Sequence, residues 1–254
     1  MELDLAIAGL AIGFLIGLSG VGSGALMAPL LLLLGVSPAT VVGTDIAFGL
    51  LTKSAGIGIH LRRKTIVWPW VRLLAIGSIP GALAGTFLVA QLAAAPHLLR
   101  AWIGIVLVVS PLAALWMEVA RRRGAAWVSR VQRPKPWAIS AIGFAIGVTV
   151  GATSVGSGTL VDVALILFSP LGGGQLVGTG IAHAVLLSGV ASLAHWNIGT
   201  IDFALITNLL TGSVPGVLLG GWIATRTSPQ PLRWGVAALV LLSGLTTLTG
   251  IYNS

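Results

Sequence analysis

Two short stretches place hydroxyls inside glycine-rich breaks. Gly20-Val21-Gly22-Ser23-Gly24 interrupts one apolar run, and Val155-Gly156-Ser157-Gly158, preceded by Thr153-Ser154, interrupts another. Glycine weakens a helix by roughly 1 kcal/mol relative to alanine, so three glycines in five residues mark a break. Inside a membrane such a break is tolerated only where the freed backbone groups are buried in protein or line a wet cavity. It sets half-helix N-termini, with positive dipole ends and free N–H groups, near the bilayer midplane, where an anion is favoured. The candidate substrate-binding residues are therefore Gly20, Gly22, Ser23, Gly24, Ser154, Gly156, Ser157 and Gly158. Thr44 and Thr179, which open the helices that follow, join them. Each also has a plainer explanation. Small residues let helices pack closely in lipid, and a helical threonine can bond back to its own backbone. Ser19 and Thr153 share that second explanation.

Asp45, Lys53, Asp162 and His183 all fall inside apolar runs. A charge at the bilayer centre costs about 3 kcal/mol or more, so such residues usually serve function. Asp45, Asp162 and His183 are candidates for proton coupling, since histidine titrates near neutral pH. Asp45 could instead cap a helix start or pair with Lys53, and His183 could bond a carbonyl. Lys53 could give an anion path fixed positive charge, but snorkelling to the cytoplasmic surface is the preferred expectation.

The elements that must position these residues follow from composition. Of 254 residues, 56% are hydrophobic and 8% charged, and the mean hydropathy is +1.02. That is a polytopic membrane protein. The absence of cysteine excludes disulfides and thiolate chemistry. The net charge of +8 sits in short loops, where it sets orientation, and does not argue for nucleic acid. The acidic start Met1-Glu2-Leu3-Asp4 argues against a cleavable signal peptide. Apolar runs cover roughly 5–34, 38–59, 67–90, 99–119, 137–169, 175–195, 202–224 and 232–251. The two longest hold the glycine breaks.

The chain repeats itself. Val42-Gly43-Thr44 recurs as Val177-Gly178-Thr179, and Gly77-Ser78-Ile79-Pro80-Gly81 as Gly212-Ser213-Val214-Pro215-Gly216. His60 matches His195 at the same offset, and the glycine breaks align one residue short of it. Three matches in order indicate an internal duplication. The division is 1–120 as first repeat, 121–135 as basic linker and 136–254 as second repeat. If each long run is a re-entrant hairpin, each half crosses three times and the halves are inverted. Arg62-Arg63-Lys64, the 121–135 segment, Arg226 and Arg233 then all lie inside, and only Arg100 is left outside. If each long run crosses once, the halves are parallel and Arg226 and Arg233 move outside. The positive-inside rule prefers the inverted arrangement. So does length, because thirty residues of straight helix would measure about 45 Å. The expected fold is an all-α polytopic membrane protein of two homologous inverted halves, each a broken glycine-rich helix plus three transmembrane helices. The N-terminus is expected outside the inner membrane and the central basic loop in the cytoplasm. His60 and His195 are expected to cap helix ends. Pro80 and Pro215 mark matched kinks, and Trp68, Trp70, Trp102, Trp127, Trp137, Trp196, Trp222 and Trp234 are interfacial anchors.

The stretch from Gly20 to Pro29, followed by Gly35-Val-Ser-Pro-Ala-Thr-Val-Val-Gly-Thr44, resembles the TauE/SafE sulfite-exporter family of membrane permeases. Val155-Gly-Ser-Gly-Thr-Leu160 and Val177-Gly-Thr-Gly-Ile-Ala182 look like that family's repeated motif. The resemblance covers essentially the whole chain. It implies transport of a small sulfur-containing anion: sulfite, thiosulfate, or an organosulfonate such as sulfoacetate. One departure is that Asp162-Val163 stands where the first half has Pro29. A carboxylate there is either repulsive to the anion or a proton carrier.

The sequence thus points to a permease working by alternating access, with protons as a candidate coupling ion. The alternatives are a passive anion channel and a non-transporting membrane scaffold subunit. No nucleophile–base pair, nucleotide loop or metal cluster is visible, so no enzyme activity, cofactor or metal is expected. The expected partners are the anion and the lipid bilayer, with a homodimer as a candidate assembly.

Overall fold

The computed structural model describes residues 3–19, 23–122, 135–224 and 229–250. These form helices α1 (Leu3–Ser19), α2 (Gly24–Leu33), α3 (Pro38–Arg62), α4 (Trp68–Leu92) and α5 (Pro96–Arg122). The second half supplies α6 (Pro136–Thr153), α7 (Thr159–Phe168), α8 (Gly173–Asn197), α9 (Phe203–Ala224) and α10 (Pro229–Thr249). No strand occurs among the described residues. The second long apolar run is broken where its glycines predict, between α6 and α7; in the first, α1 ends at Ser19 and α2 begins at Gly24, with Gly20, Val21 and Gly22 outside the described residues.

Among the described residues, five helices are long and apolar enough to cross a bilayer: α4, most of α5, α6, α8 and most of α9. The chain is therefore a multi-pass membrane protein. α3 matches α8 in length at 25 residues but carries Asp45, Lys53 and His60. Large apolar side chains stay exposed on the outer helices, among them Ile76, Phe87, Trp116 and Leu218. In water such a surface would be a liability, and in lipid it is the expected solvent-facing face. The interior is filled by Met27, Leu31, Phe48, Leu107, Leu165, Leu187 and Leu209, all fully buried.

Two helix pairs are packed backbone to backbone, α1 on α9 and α4 on α6. A Cβ on Gly77, Gly81 or Gly85 would collide with the carbonyls of Ser140, Phe144 and Val148. Gly143, Gly147 and Gly151 are pressed in the same way against Leu74, Ser78 and Ala82. In the other pair, Gly9 and Gly13 meet Leu209 and Ser213, while Gly212, Gly216 and Gly220 meet Ala6, Leu10 and Phe14. All four glycine rows step by four residues, so each forms one stripe along its helix. Without apolar driving force between helices in lipid, such close approach supplies the dispersion contact that holds them.

The register of these contacts gives direction. Residue numbers rise together along α4 and α6, and along α1 and α9, so both pairs run parallel. α4 also runs with α8, because Val67 at its start meets Thr179 and Ser78 further along meets His183. α3 and α8 run antiparallel. The Thr44 hydroxyl near the start of α3 accepts the Asp202 N–H beyond the end of α8 (3.0 Å), and the Thr179 hydroxyl near the start of α8 accepts the Val67 N–H beyond the end of α3 (3.0 Å). Matched through the repeat, these two bonds are the same bond made twice.

The glycine stripes make a direct prediction. Gly147→Leu should lower the thermal unfolding temperature of the detergent-solubilised protein markedly, at a cost of about 3 kcal/mol or more, since overpacking against rigid backbone has no cheap relaxation. Gly58→Ala, where a Cβ meets open space, should leave melting unchanged or slightly raised. Equal melting of the two variants would show that the stripe does not hold α4 to α6.

Candidate functional site

The two breaks meet. Gly24 and Ala25 at the start of α2 line one gap together with Gly156, Ser157, Gly158 and Thr159, which lead into α7. The gap measures about 10 Å³, room for roughly one water molecule. Ser154 crosses Gly24 so closely that a Cβ there would collide with its carbonyl oxygen. The chain manages this crossing with a left-handed residue, Ser154 at φ 64°. That conformation costs a non-glycine residue about 1 kcal/mol or more and persists only where the surroundings enforce it. The enforcing bonds are local. The Ser154 N–H donates to the Val150 carbonyl (2.7 Å). The Thr153 hydroxyl donates to the Thr149 carbonyl (2.7 Å) and accepts the Val155 N–H (3.3 Å). Thr153 is thus occupied by its own helix.

The first turns of α2 and α7 face the same gap, so two helix N-termini converge on it. Each brings partial positive charge and N–H donors without an intrahelical acceptor. The full positive charge comes from Lys53. Its ammonium does not snorkel to the surface as expected; Nζ donates to the Ser157 hydroxyl across the interface between the halves (2.5 Å). Snorkelling fails because Lys53 lies two turns beyond Asp45, on the helix face turned toward the breaks. Gly49 between them makes the room. A Cβ on Gly49 would sit 2.7 Å from the Ser23 hydroxyl oxygen and 3.7 Å from Lys53 Nζ. Ser23, Ser157 and Lys53 therefore converge at the middle of α3. Both serines are buried, each 4% exposed.

The carboxylates are close by. Asp45, 1% exposed, has Oδ2 3.1 Å from the position a Cβ on Gly24 would take. Its carboxylate faces the hydroxyls of Ser154 and Ser23 and the charge of Lys53. Neither of its oxygens makes a hydrogen bond of regular geometry, and neither does the Ser154 hydroxyl. Asp162, in the first turn of α7, places Oδ1 2.8 Å from where a Cβ on Gly180 would lie. Its charge also reaches Lys53.

The remaining candidates lie further out. His183 is fully buried and turned toward α4, with Nε2 bonded to the Ser78 hydroxyl (2.8 Å) and Nδ1 without a partner. Like Asp45, it does not line the gap, although the Lys53 charge reaches it. Thr44 and Thr179 are fully buried, and their hydroxyls hold the inter-half backbone bonds described above. Gly20 and Gly22 lie outside the described residues. His60 and His195 take matched places, each bonding through Nδ1 the threonine five residues on: Thr65 (2.9 Å) and Thr200 (2.8 Å). His195 also donates Nε2–H to the Gly151 carbonyl (2.9 Å). Both histidines thus tie down helix ends. Gly49 and Gly180 are the residues that the sequence reading passed over, and Lys53, weighed there as a fixed charge for an anion path, takes the inward place rather than the preferred snorkelling one. The four-residue spacing of Asp45, Gly49 and Lys53 was the available signal, since it puts all three on one helix face.

A match to the family described as Sulfite exporter TauE/SafE covers residues 5–247. A relative from Bacillus subtilis (strain 168), named probable membrane transporter protein YjnA, is 38% identical over 253 residues, covering 96% of this chain and 99% of the relative. Two more from the same organism, named probable membrane transporter proteins YunE and YdhB, are 23% and 24% identical. YunE is covered over 98% of both chains, and YdhB over 93% of this chain and 96% of its own. No solved structure matches. With the family match spanning nearly every helix and a relative alike from end to end, the chain belongs to the sulfite exporter TauE/SafE family.

Proposed function

We propose that this protein is an inner-membrane permease that moves a small sulfur-containing anion, namely sulfite, thiosulfate or an organosulfonate, by alternating access. The observation that carries the proposal is the convergence of two half-helix N-termini on one gap between the halves, with the Lys53 ammonium bonded to Ser157 at its edge. Hydroxyls of Ser23 and Ser157 stand beside it as donors for anion oxygens. That is the chemistry by which broken helices bind anionic groups in carriers. The sulfur oxyanion class comes from the family, whose description names sulfite.

The gap is too small for any such anion, so the described conformation is a closed one. Opening must separate the breaks toward one side at a time. The contact directions support an inverted-repeat mechanism. α6 and α8 both run parallel to α4, so α7 between them has to lead the chain back the way it came. α2 does the same between α1 and α3, which both run parallel to α9. Each half then contributes a re-entrant hairpin and three crossings. The positive-inside rule puts Arg62-Arg63-Lys64 and the central basic segment in the cytoplasm and the N-terminus outside. Protons are the candidate coupling ion, with Asp45, Asp162 and His183 as their carriers.

The first test is uptake into proteoliposomes of labelled sulfite, thiosulfate and a small sulfonate, with sulfate as comparison. Saturable flux of at least one sulfur anion is expected, and an absence of both flux and binding would overturn the reading. Ser157→Ala and Lys53→Met should each lower flux about tenfold or more at normal membrane content, the loss of a charge-assisted hydrogen bond of about 1.5–3 kcal/mol. Wild-type flux from both would remove the proposed site. His183→Ala should change the pH dependence of flux more than the half-saturating concentration. An unaltered pH profile would dismiss its coupling role.

A further inference from the structure

The two halves deliver their carboxylates by different routes to matching places. In the first half Asp45 comes from the long helix α3 and lies against Gly24 at the start of α2. Its match in α8 is Gly180, which has no side chain. There the carboxylate comes from the opposite partner: Asp162 of α7 lies against Gly180. An aspartate at 180 would run into Asp162, so the two cannot coexist as the protein is packed. The carboxylate has changed helix and kept its station. An exchange of this kind is hard to explain by packing, since a glycine facing an alanine would fill either junction without burying charge.

Lys53 has no such duplicate. Its match through the repeat is Ser188, so one ammonium serves both junctions. It bonds Ser157 of the second break and lies within the field of both Asp45 and Asp162. His183 on α8, turned toward Ser78 of α4, also lies within reach of its charge as the fourth titratable group nearby. An ammonium held at membrane depth without a counter-charge is strongly unfavourable, and each facing state of an alternating carrier separates the breaks differently.

We infer that Asp45 and Asp162 are alternate partners of Lys53, one carboxylate for each facing state, and that Gly180 is vacant so that Asp162 can take the second station. The inference rests on the alternating-access reading and not on which anion is carried. In the state that parts Lys53 from one break, the carboxylate of the other break retains it. Asp45 rides on α3 with Lys53 and is its sole carboxylate when the second break withdraws, so removing either carboxylate penalises one facing state more than the other and biases the carrier. Asp45→Asn and Asp162→Asn keep side-chain shape and act in opposite directions.

The chain has no cysteine, so Thr159→Cys at the edge of the gap supplies a single reporter. Its labelling by a membrane-impermeant maleimide is read in right-side-out and inside-out vesicles, with no substrate present. Asp45→Asn should raise the labelling rate from one face about fivefold or more, and Asp162→Asn should do so from the opposite face, as expected when a two-state equilibrium is tilted each way. The exchange variant Asp162→Gly with Gly180→Asp should return labelling toward the wild-type pattern, whereas Asp162→Gly alone should not. Shifts toward the same face, or none in either Asn variant, would overturn the inference, as would an assembled exchange variant that labels like Asp162→Gly. Opposite shifts in a protein that carries no sulfur anion would support the inference while defeating the anion reading, so the two failures are separable.

Discussion

Backbone polar groups in lipid must find partners inside the protein, and this chain opens its backbone twice. Everything else in the structure encloses those two openings. The breaks are laid against each other, so that the Ser154 carbonyl meets Gly24, and around them α4 and α6, α1 and α9 close up until backbone touches backbone. Such contact needs glycine at every fourth position. A single added methyl would move a helix rather than a side chain, because what it meets is main chain. The glycine content that weakens each helix alone is therefore what lets the helices bury the breaks together.

The enclosure also explains how charge is tolerated. Asp45, Lys53, Asp162 and His183 would each be costly alone in a bilayer. Collected around the breaks they face one another, the hydroxyls of Ser23, Ser154 and Ser157, and two helix N-termini. The cluster is loosely held, since both oxygens of Asp45, the Ser154 hydroxyl and Nδ1 of His183 make no hydrogen bond of regular geometry. A resting scaffold would gain by pairing or losing such groups.

Paired bonds link this centre to the helix ends. The Thr44–Asp202 and Thr179–Val67 bonds clamp each half's first long helix to the loop of the other half, and the His60–Thr65 and His195–Thr200 pairs stiffen those same loops. The pattern is symmetric in sequence but not in detail, because His195 adds a bond to Gly151 at the end of α6.

The sequence by itself determined that the chain is helical and lives in a membrane, that short motifs recur along it at one offset, and that a glycine motif interrupts the helical run between α6 and α7. These are local or compositional properties: hydropathy, helix propensity and repeated motifs need no partner to be read. Ser23 and Ser157 were legible as hydroxyls at the breaks for the same reason. Tertiary structure alone decided where the side chains between the motifs point. Lys53 read as a surface-seeking lysine because a long side chain in an isolated helix reaches for water, and only the Gly49 notch and Ser157 across the interface draw it inward. Thr44 and Thr179 read as cavity hydroxyls, and packing gave them to backbone N–H groups of the opposite half. The kinship of Asp45 with Asp162 was hidden as well, since the two occupy unmatched positions and only the vacancy at Gly180 shows that they fill the same place. Periodicity and motif report what a residue is next to along the chain, whereas a charge in a membrane takes its meaning from what faces it across the fold.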